Sequence, residues 1–148
     1  MSVATAHPPL ADETCSTPHE ALQDVEHRWN AAALDWNADA LTALYTHDAV
    51  FFGGRQGHAV GLQAIHSYFS SYIGVLKSAR LTLFDQCVVE LGKHTFLAQG
   101  YANLKFVLGD GSETSSILRT TWVLVRRQGN WKLLQHHFSP TPEVPPIR

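Results

Sequence analysis

Apolar residues recur with helical spacing at Leu22, Val25, Trp29, Ala32, Ala33 and Trp36, one stripe that predicts an amphipathic helix. The start of that helix is written just upstream in "STPHE". Thr17 can cap, Pro18 suits the first helical position and Glu20 completes a capping box. Asn37 predicts a second N-cap, opening a short helix with Leu41, Leu44 and Tyr45 turned inward. The period then changes. Val50, Phe51 and Phe52 predict a short strand, "GGRQG" a turn and "HAV" a brief return strand. From Gly61 a third helical stripe runs through Leu62, Ile65, Phe69, Tyr72, Ile73 and Leu76.

The second half reads as strands. "ARLTLFDQCVVEL", "HTFLAQGYANLKFVL", "SETSSILRTTWVLVRR" and "NWKLLQHHF" are long strand-like runs, joined at Gly92-Lys93, Gly109-Asp110-Gly111 and Gln128-Gly129. A run of about 14 residues spans over about 40 Å at about 3.3 Å per residue. A small domain holds such strands only if its sheet bends sharply, and Gly100 is placed to be the kink or bulge. The expected fold class is α+β: a cone-shaped domain with three N-terminal helices packed on a strongly curved antiparallel sheet. Its expected bounds are 17–140, after a disordered arm at 1–16 and before a proline-rich tail at 141–148.

Composition narrows this picture without adding chemistry. The chain is 45% hydrophobic and 16% charged, with a formal net charge of −2. That charge gives no general attraction to nucleic acid or anionic membranes. No apolar run approaches the roughly 20 residues of a membrane span. The N-terminal stretch lacks the basic start and apolar core of a signal peptide, so a cytoplasmic location is expected. Cys15 and Cys87 are then expected to be free thiols. There is no GxSxG elbow, phosphate loop or dinucleotide fingerprint. The nine histidines show neither HxxxH nor a histidine–carboxylate cluster at ligand spacing, so no metal and no cofactor are expected.

"ALYTHDAVFF", "GLQAIHSYF" and above all "TTWVLVRRQGNWKLLQHHFS" resemble the nuclear transport factor 2-like superfamily. More narrowly they resemble the SnoaL-like proteins and the calcium/calmodulin-dependent protein kinase II association domain. The resemblance runs from Thr17 to Ser139. It implies a domain that oligomerises through its sheet, usually as a dimer, and carries a deep pocket of variable use. The superfamily spans isomerases, hydrolases, cyclases, binding modules and assembly hubs, so the fold alone does not decide function.

The adjacent pair His136-His137 depends on which way each side chain points, because neighbouring strand residues face opposite sides. A glycine-bulge turn at Arg127-Gln128-Gly129-Asn130 puts Thr120, Trp122 and Leu124 on one face with Leu134, His136 and Phe138. The resemblance makes that face the concave one. The expected ligand residues are therefore Trp29, Tyr45, Phe69, Trp122, His136 and Phe138. The convex set, expected at a homodimer interface, is Arg119, Thr121, Val123, Leu133, Gln135 and His137. A slip of one residue would exchange the faces of one strand.

His136 is a candidate acid–base residue, since an imidazole exchanges protons near neutral pH. Asp48 is the second catalytic candidate, because a buried carboxylate has its pKa raised and can act as a base; it also reads as a turn residue bonding local backbone. Glu26, offset from the apolar stripe, is expected to be solvated. The association-domain pocket carries arginines where this chain has Trp122 and Phe138, which disfavours an anionic ligand. The expected function is a homo-oligomeric protein binding a small, largely apolar molecule. The alternatives are an isomerase, cyclase or hydrolase using those acid–base residues, and an assembly module without ligand.

Overall fold

The computed structural model describes residues 17–147, so the 1–16 arm with His7 and Cys15 lies outside the described residues. Helix α1 spans Pro18–Ala33 and α2 Ala38–Thr42. Strands β1 (Tyr45–Phe52) and β2 (Ala59–Val60) precede α3 (Leu62–Ser70). Strands β3 (Leu76–Gly92), β4 (Thr95–Leu108), β5 (Glu113–Arg127) and β6 (Asn130–Pro140) follow. Residues 141–147 carry no regular element.

The caps act as the sequence predicts. Thr17 Oγ1 accepts from the Glu20 amide at 3.1 Å, and Asn37 Oδ1 accepts from the Ala40 amide at 3.0 Å. The capping box departs from the reciprocal form, because Glu20 Oε1 accepts from the Thr17 hydroxyl. The whole predicted stripe of α1, with Trp36 beyond it, is buried. Each large side chain so buried contributes roughly 1.5–3 kcal/mol. Helix α3 ends sooner than its stripe, at Ser70, and Ile73 is 64% exposed where the pattern turned it inward.

The strands form one six-stranded sheet in the order β2-β1-β6-β5-β4-β3. The expectation of a wholly antiparallel sheet is corrected: β1 runs parallel to β6 and makes the sheet mixed. Parallel neighbours need a long crossover, and here the entire segment from β2 to β5 supplies it. The sheet curves at irregularities in β3. Its register shifts between Phe84 and Cys87, where Asp85 takes a φ of 52°. Gly100 lies across from that bulge, and a Cβ there would run into the Asp85 carbonyl oxygen. Glycine at this position lets the bulged strand press against its neighbour.

Helix α1 docks along the edge strand β3 through polar side chains. Asn30 both donates to the Leu81 carbonyl (2.8 Å) and accepts from the Leu81 amide (2.7 Å). Glu26 accepts from the Leu83 amide at 2.6 Å, so the solvated role expected of it is corrected. These bonds satisfy edge groups that would otherwise invite another strand. The core lies between the helices and the inner sheet face, where Val25, Trp29, Leu41, Phe69, Leu81, Phe96, Trp122 and Leu124 are buried together.

The last hairpin fixes which residues face inward. Arg127 pairs with Asn130 across Gln128 (φ 54°) and Gly129 (φ 80°). This is a two-residue turn with both central residues left-handed, not the expected glycine bulge. The bulge sits further along β6. Val123 pairs with Gln135 and Leu124 with Leu133, which leaves Leu134 as the extra residue.

Candidate functional site

A cavity of about 400 Å³ opens between the helices and the inner sheet face. The helical side supplies Trp29, Trp36, Tyr68, Phe69 and Tyr72, and the sheet supplies Leu104, Phe106, Leu118 and Phe138. Gly53, Gly54 and Ser139 lie at its margin. Among the described residues, no Asp, Glu, Lys, Arg or His lines it. Its size falls within the few hundred cubic ångströms usual for small-molecule sites.

The aromatic wall is fixed by specific bonds. The Trp36 indole N–H donates to the Phe69 carbonyl at 2.9 Å. That bond holds the Trp36 ring edge-on to Trp29, Phe69 and Tyr72, with ring centroids 6.5, 5.9 and 5.7 Å away. The Tyr68 hydroxyl accepts from the Gly54 amide at 2.8 Å. Burial pushes the pKa of Tyr68 far above its ordinary value, against a smaller lowering by the Gly54 amide, so the phenol stays neutral. A Cβ on Gly53 would collide with the Tyr68 ring and with Phe51, which explains the glycine where the 53–58 loop meets the wall. Arg55 stacks 4.2 Å above the Tyr72 ring and donates to Ser71 Oγ at 2.6 Å and the Ser71 carbonyl at 3.1 Å.

The predicted ligand residues divide into two groups. Trp29, Phe69 and Phe138 line the cavity. Tyr45, Trp122 and His136 do not, a correction to their expected place on its wall; they are buried in the core beneath it. Phe138 causes this. Its ring lies edge-on to His136, with centroids 4.0 Å apart. His136 is fully buried among Tyr45, Phe51, Trp122 and Phe138. Its Nδ1 lies 2.7 Å from the Tyr45 hydroxyl. Burial holds its pKa well below 6.5, with a smaller push from His137, so the imidazole is neutral. Burial likewise drives the Tyr45 hydroxyl far above its usual range, against a smaller lowering by the nearby Trp29 indole.

Asp48 is not in the cavity. It is an exposed residue of β1, 2.8 and 3.3 Å from the two terminal nitrogens of Arg127. The hydrogen bonds from Arg127, with a smaller lowering by the nearby Thr46 hydroxyl, hold its carboxyl well below the usual carboxylate range. A base with raised pKa needs the opposite environment, so the catalytic expectation for Asp48 is corrected.

The convex residues also divide. Arg119 and His137 are exposed on the outer sheet face, where Thr121, Val123 and Gln135 are half-buried. Leu133 is fully buried, a correction caused by the bulge at Leu134, which turns it inward opposite Leu124. The outer face carries an open groove of about 490 Å³ that includes Asp85, Gln99, Tyr101, Arg119 and His137. Around it Phe52, Phe84, Tyr101 and Ile117 are exposed. Cys87 is a free, exposed thiol on this groove. Among the described residues no group of three or more His, Cys, Asp or Glu could hold a metal ion, and no helix is long and apolar enough to cross a membrane.

Sequence reasoning missed Leu104, Phe106 and Leu118 as cavity residues. Leu118 shares the parity of Thr120 and Trp122 on β5, but neither the facing of β4 nor the height of these residues relative to α3 was legible.

The family profile described as "SnoaL-like domain" matches residues 22–143. No curated protein matches the chain. Among solved structures, one from Xanthomonas campestris, provisionally described as a calcium/calmodulin-dependent protein kinase II association domain, has a TM-score of 0.78 at 21% identity, covering 88% of this chain and 93% of that one. A provisionally described aromatic ring hydroxylase from Novosphingobium aromaticivorans has a TM-score of 0.72 at 21% identity, covering 92% and 94%. A provisionally described dehydratase of the nuclear transport factor 2-like family from Streptomyces avermitilis has a TM-score of 0.71 at 17% identity, covering 84% and 97%. At these identities the likeness to solved structures shows the shared fold.

Proposed function

We propose that this chain, which belongs to the SnoaL-like domain family of the nuclear transport factor 2-like superfamily, is a homodimeric binding protein for a small, uncharged, largely apolar molecule. The observation that carries this reading is the cavity: about 400 Å³, walled by aromatic and aliphatic side chains, with no charged residue lining it among the described residues. A carboxylate or ammonium taken into it would lose its hydration without gaining a partner. Neutral Tyr68 is the polar group best placed to orient a ligand near the margin.

The dimer would form through the outer sheet face. Exposed Phe84 and Tyr101 stack there at 5.6 Å, and Arg119, Thr121 and His137 border them. An exposed apolar face of this kind favours association with a second, symmetry-related copy.

Native mass spectrometry of freshly purified protein tests both parts. The expected spectrum is a dimer carrying up to one small neutral adduct per chain. A single-chain mass without adduct, unchanged on adding neutral aromatic compounds, would contradict the reading.

A second reading, an enzyme of the isomerase, cyclase or hydrolase type, is favoured by the 2.7 Å contact between His136 and Tyr45. A neutral imidazole bonded to a phenol can relay a proton. This reading requires a substrate to displace Phe138 and reach the ring. Turnover of a bound compound that survives His136→Gln intact would reject it.

A further inference from the structure

The inner face of β5 and β6 continues below the cavity. Leu118 and Phe138 line the cavity itself. The adjoining inward positions are Thr120 and Trp122 on β5 and His136 on β6, with Thr120 paired to Phe138 and Trp122 to His136. Thr120 is 3% exposed, Trp122 1% and His136 0%. Thr120 Oγ1, Trp122 Nε1 and His136 Nε2 all lack a hydrogen-bond partner among the described residues. Leaving one buried polar group unpaired costs about 1–3 kcal/mol. Unpaired groups on adjoining positions of one patch point to a partner that is not part of the chain.

The polar groups around His136 give the chemistry of that partner. The Tyr45 hydroxyl lies 2.7 Å from His136 Nδ1. A Tyr45 hydroxyl that gives its proton to Nδ1 completes this contact and leaves Nε2 free. A neutral imidazole bonded in this way carries its hydrogen on Nε2. The patch thus offers the His136 and Trp122 N–H groups together with the rotatable Thr120 hydroxyl: donors, with no counter-charge for an anion.

We propose that Thr120, Trp122 and His136 form a polar floor beneath the cavity that takes one uncharged acceptor, such as a ketone oxygen, of an otherwise apolar ligand. The inference rests on the ligand-binding reading above and adds a chemical class to it. Phe138 separates the floor from the open cavity, and its ring turns aside as the carbonyl comes in. The bound ligand then has its ring system among Trp29, Trp36 and Phe69 and its oxygen on the sheet.

Two probes of the same frame, α-tetralone and tetralin, test this by titration of the full-length protein. Wild type is expected to bind the ketone about tenfold more tightly than the hydrocarbon, as one gained bond to a buried donor implies. The margin is expected to fall below about threefold in His136→Phe or in Trp122→Phe. The carbonyl stretch of bound α-tetralone in wild type is expected to shift to lower frequency than in hexane, a readout that needs no variant. Equal binding of the two probes with an unshifted carbonyl band would overturn the floor and leave the apolar cavity standing. A ketone preference that persists in both folded variants would overturn its assignment to these residues. Binding of neither probe would overturn both inferences.

Discussion

The burial of His136 predicts an acid-sensitive step in stability that belongs to one residue. In the unfolded chain its imidazole titrates near 6.5, whereas in the folded protein burial holds the pKa well below that value. Below pH about 6.5 the unfolded state therefore binds a proton that the folded state refuses. Stability falls as pH falls, at about 1.4 kcal/mol per pH unit, until the folded-state pKa is reached. Between pH 7.5 and 5.0 the loss from this group alone comes to about 2 kcal/mol. The titratable neighbours acting on it are Tyr45, which burial keeps protonated, and His137. The depressed Asp48 carboxyl works in a different window: its contribution is present above its ordinary 3.8 and is lost as pH falls further. The assay is urea unfolding of wild type and His136→Gln at pH 7.5, 6.5, 5.5 and 5.0 and fixed protein concentration. The amide side chain of that variant cannot titrate in this range but can still accept from Tyr45. Wild type is expected to lose about 2 kcal/mol of its advantage over the variant across the series. A constant gap between them at every pH would refute the buried, neutral imidazole.

Other consequences follow from the same geometry. Tyr45→Phe removes the partner of His136 Nδ1 and is expected to lower stability by about 1–3 kcal/mol, read as a shift in the urea midpoint. Gly53→Ala forces a methyl against Tyr68 and Phe51 and is expected to cost about 1–3 kcal/mol by the same measurement. Asp48→Asn breaks an exposed ion pair with Arg127, so stability is expected to change by less than about 1 kcal/mol and probe binding to be unaffected. Arg119→Glu, on the outer sheet face, is expected to halve the mass seen by light scattering while circular dichroism stays unchanged.

Local features were legible and long-range ones were not. The caps at Thr17 and Asn37 and the stripe of α1 depend on residues a few positions apart, so period and spacing reveal them. Counting out from the last turn put Thr120, Trp122, His136 and Phe138 on one face, even though the turn type was different, and the family resemblance made that face the inner one. Leu133 broke the count because the bulge at Leu134 leaves no signal in a run of similar apolar residues. The parallel β1–β6 pairing joins segments separated by the rest of the chain, and nothing local announces it. Glu26 was misread for the same reason: the amide it accepts from, that of Leu83, is 57 positions away. The site was harder still. Alternation grouped residues by face, but the space above the inner face depends on how α3 and the 53–58 loop sit over β4 and β5. Trp29 and Phe138 therefore reach the cavity while Trp122 and His136 lie below it.

The central claim is that the space bounded by Trp36, Phe69, Leu118 and Phe138 takes an uncharged apolar molecule. Equilibrium dialysis of radiolabelled naphthalene against wild type and Leu118→Trp tests it most directly, since a bulkier ring at that position fills the cavity from the sheet side. The account predicts saturable uptake of one equivalent per chain in wild type and none in the folded variant; no uptake by wild type, or equal uptake by both, would contradict it.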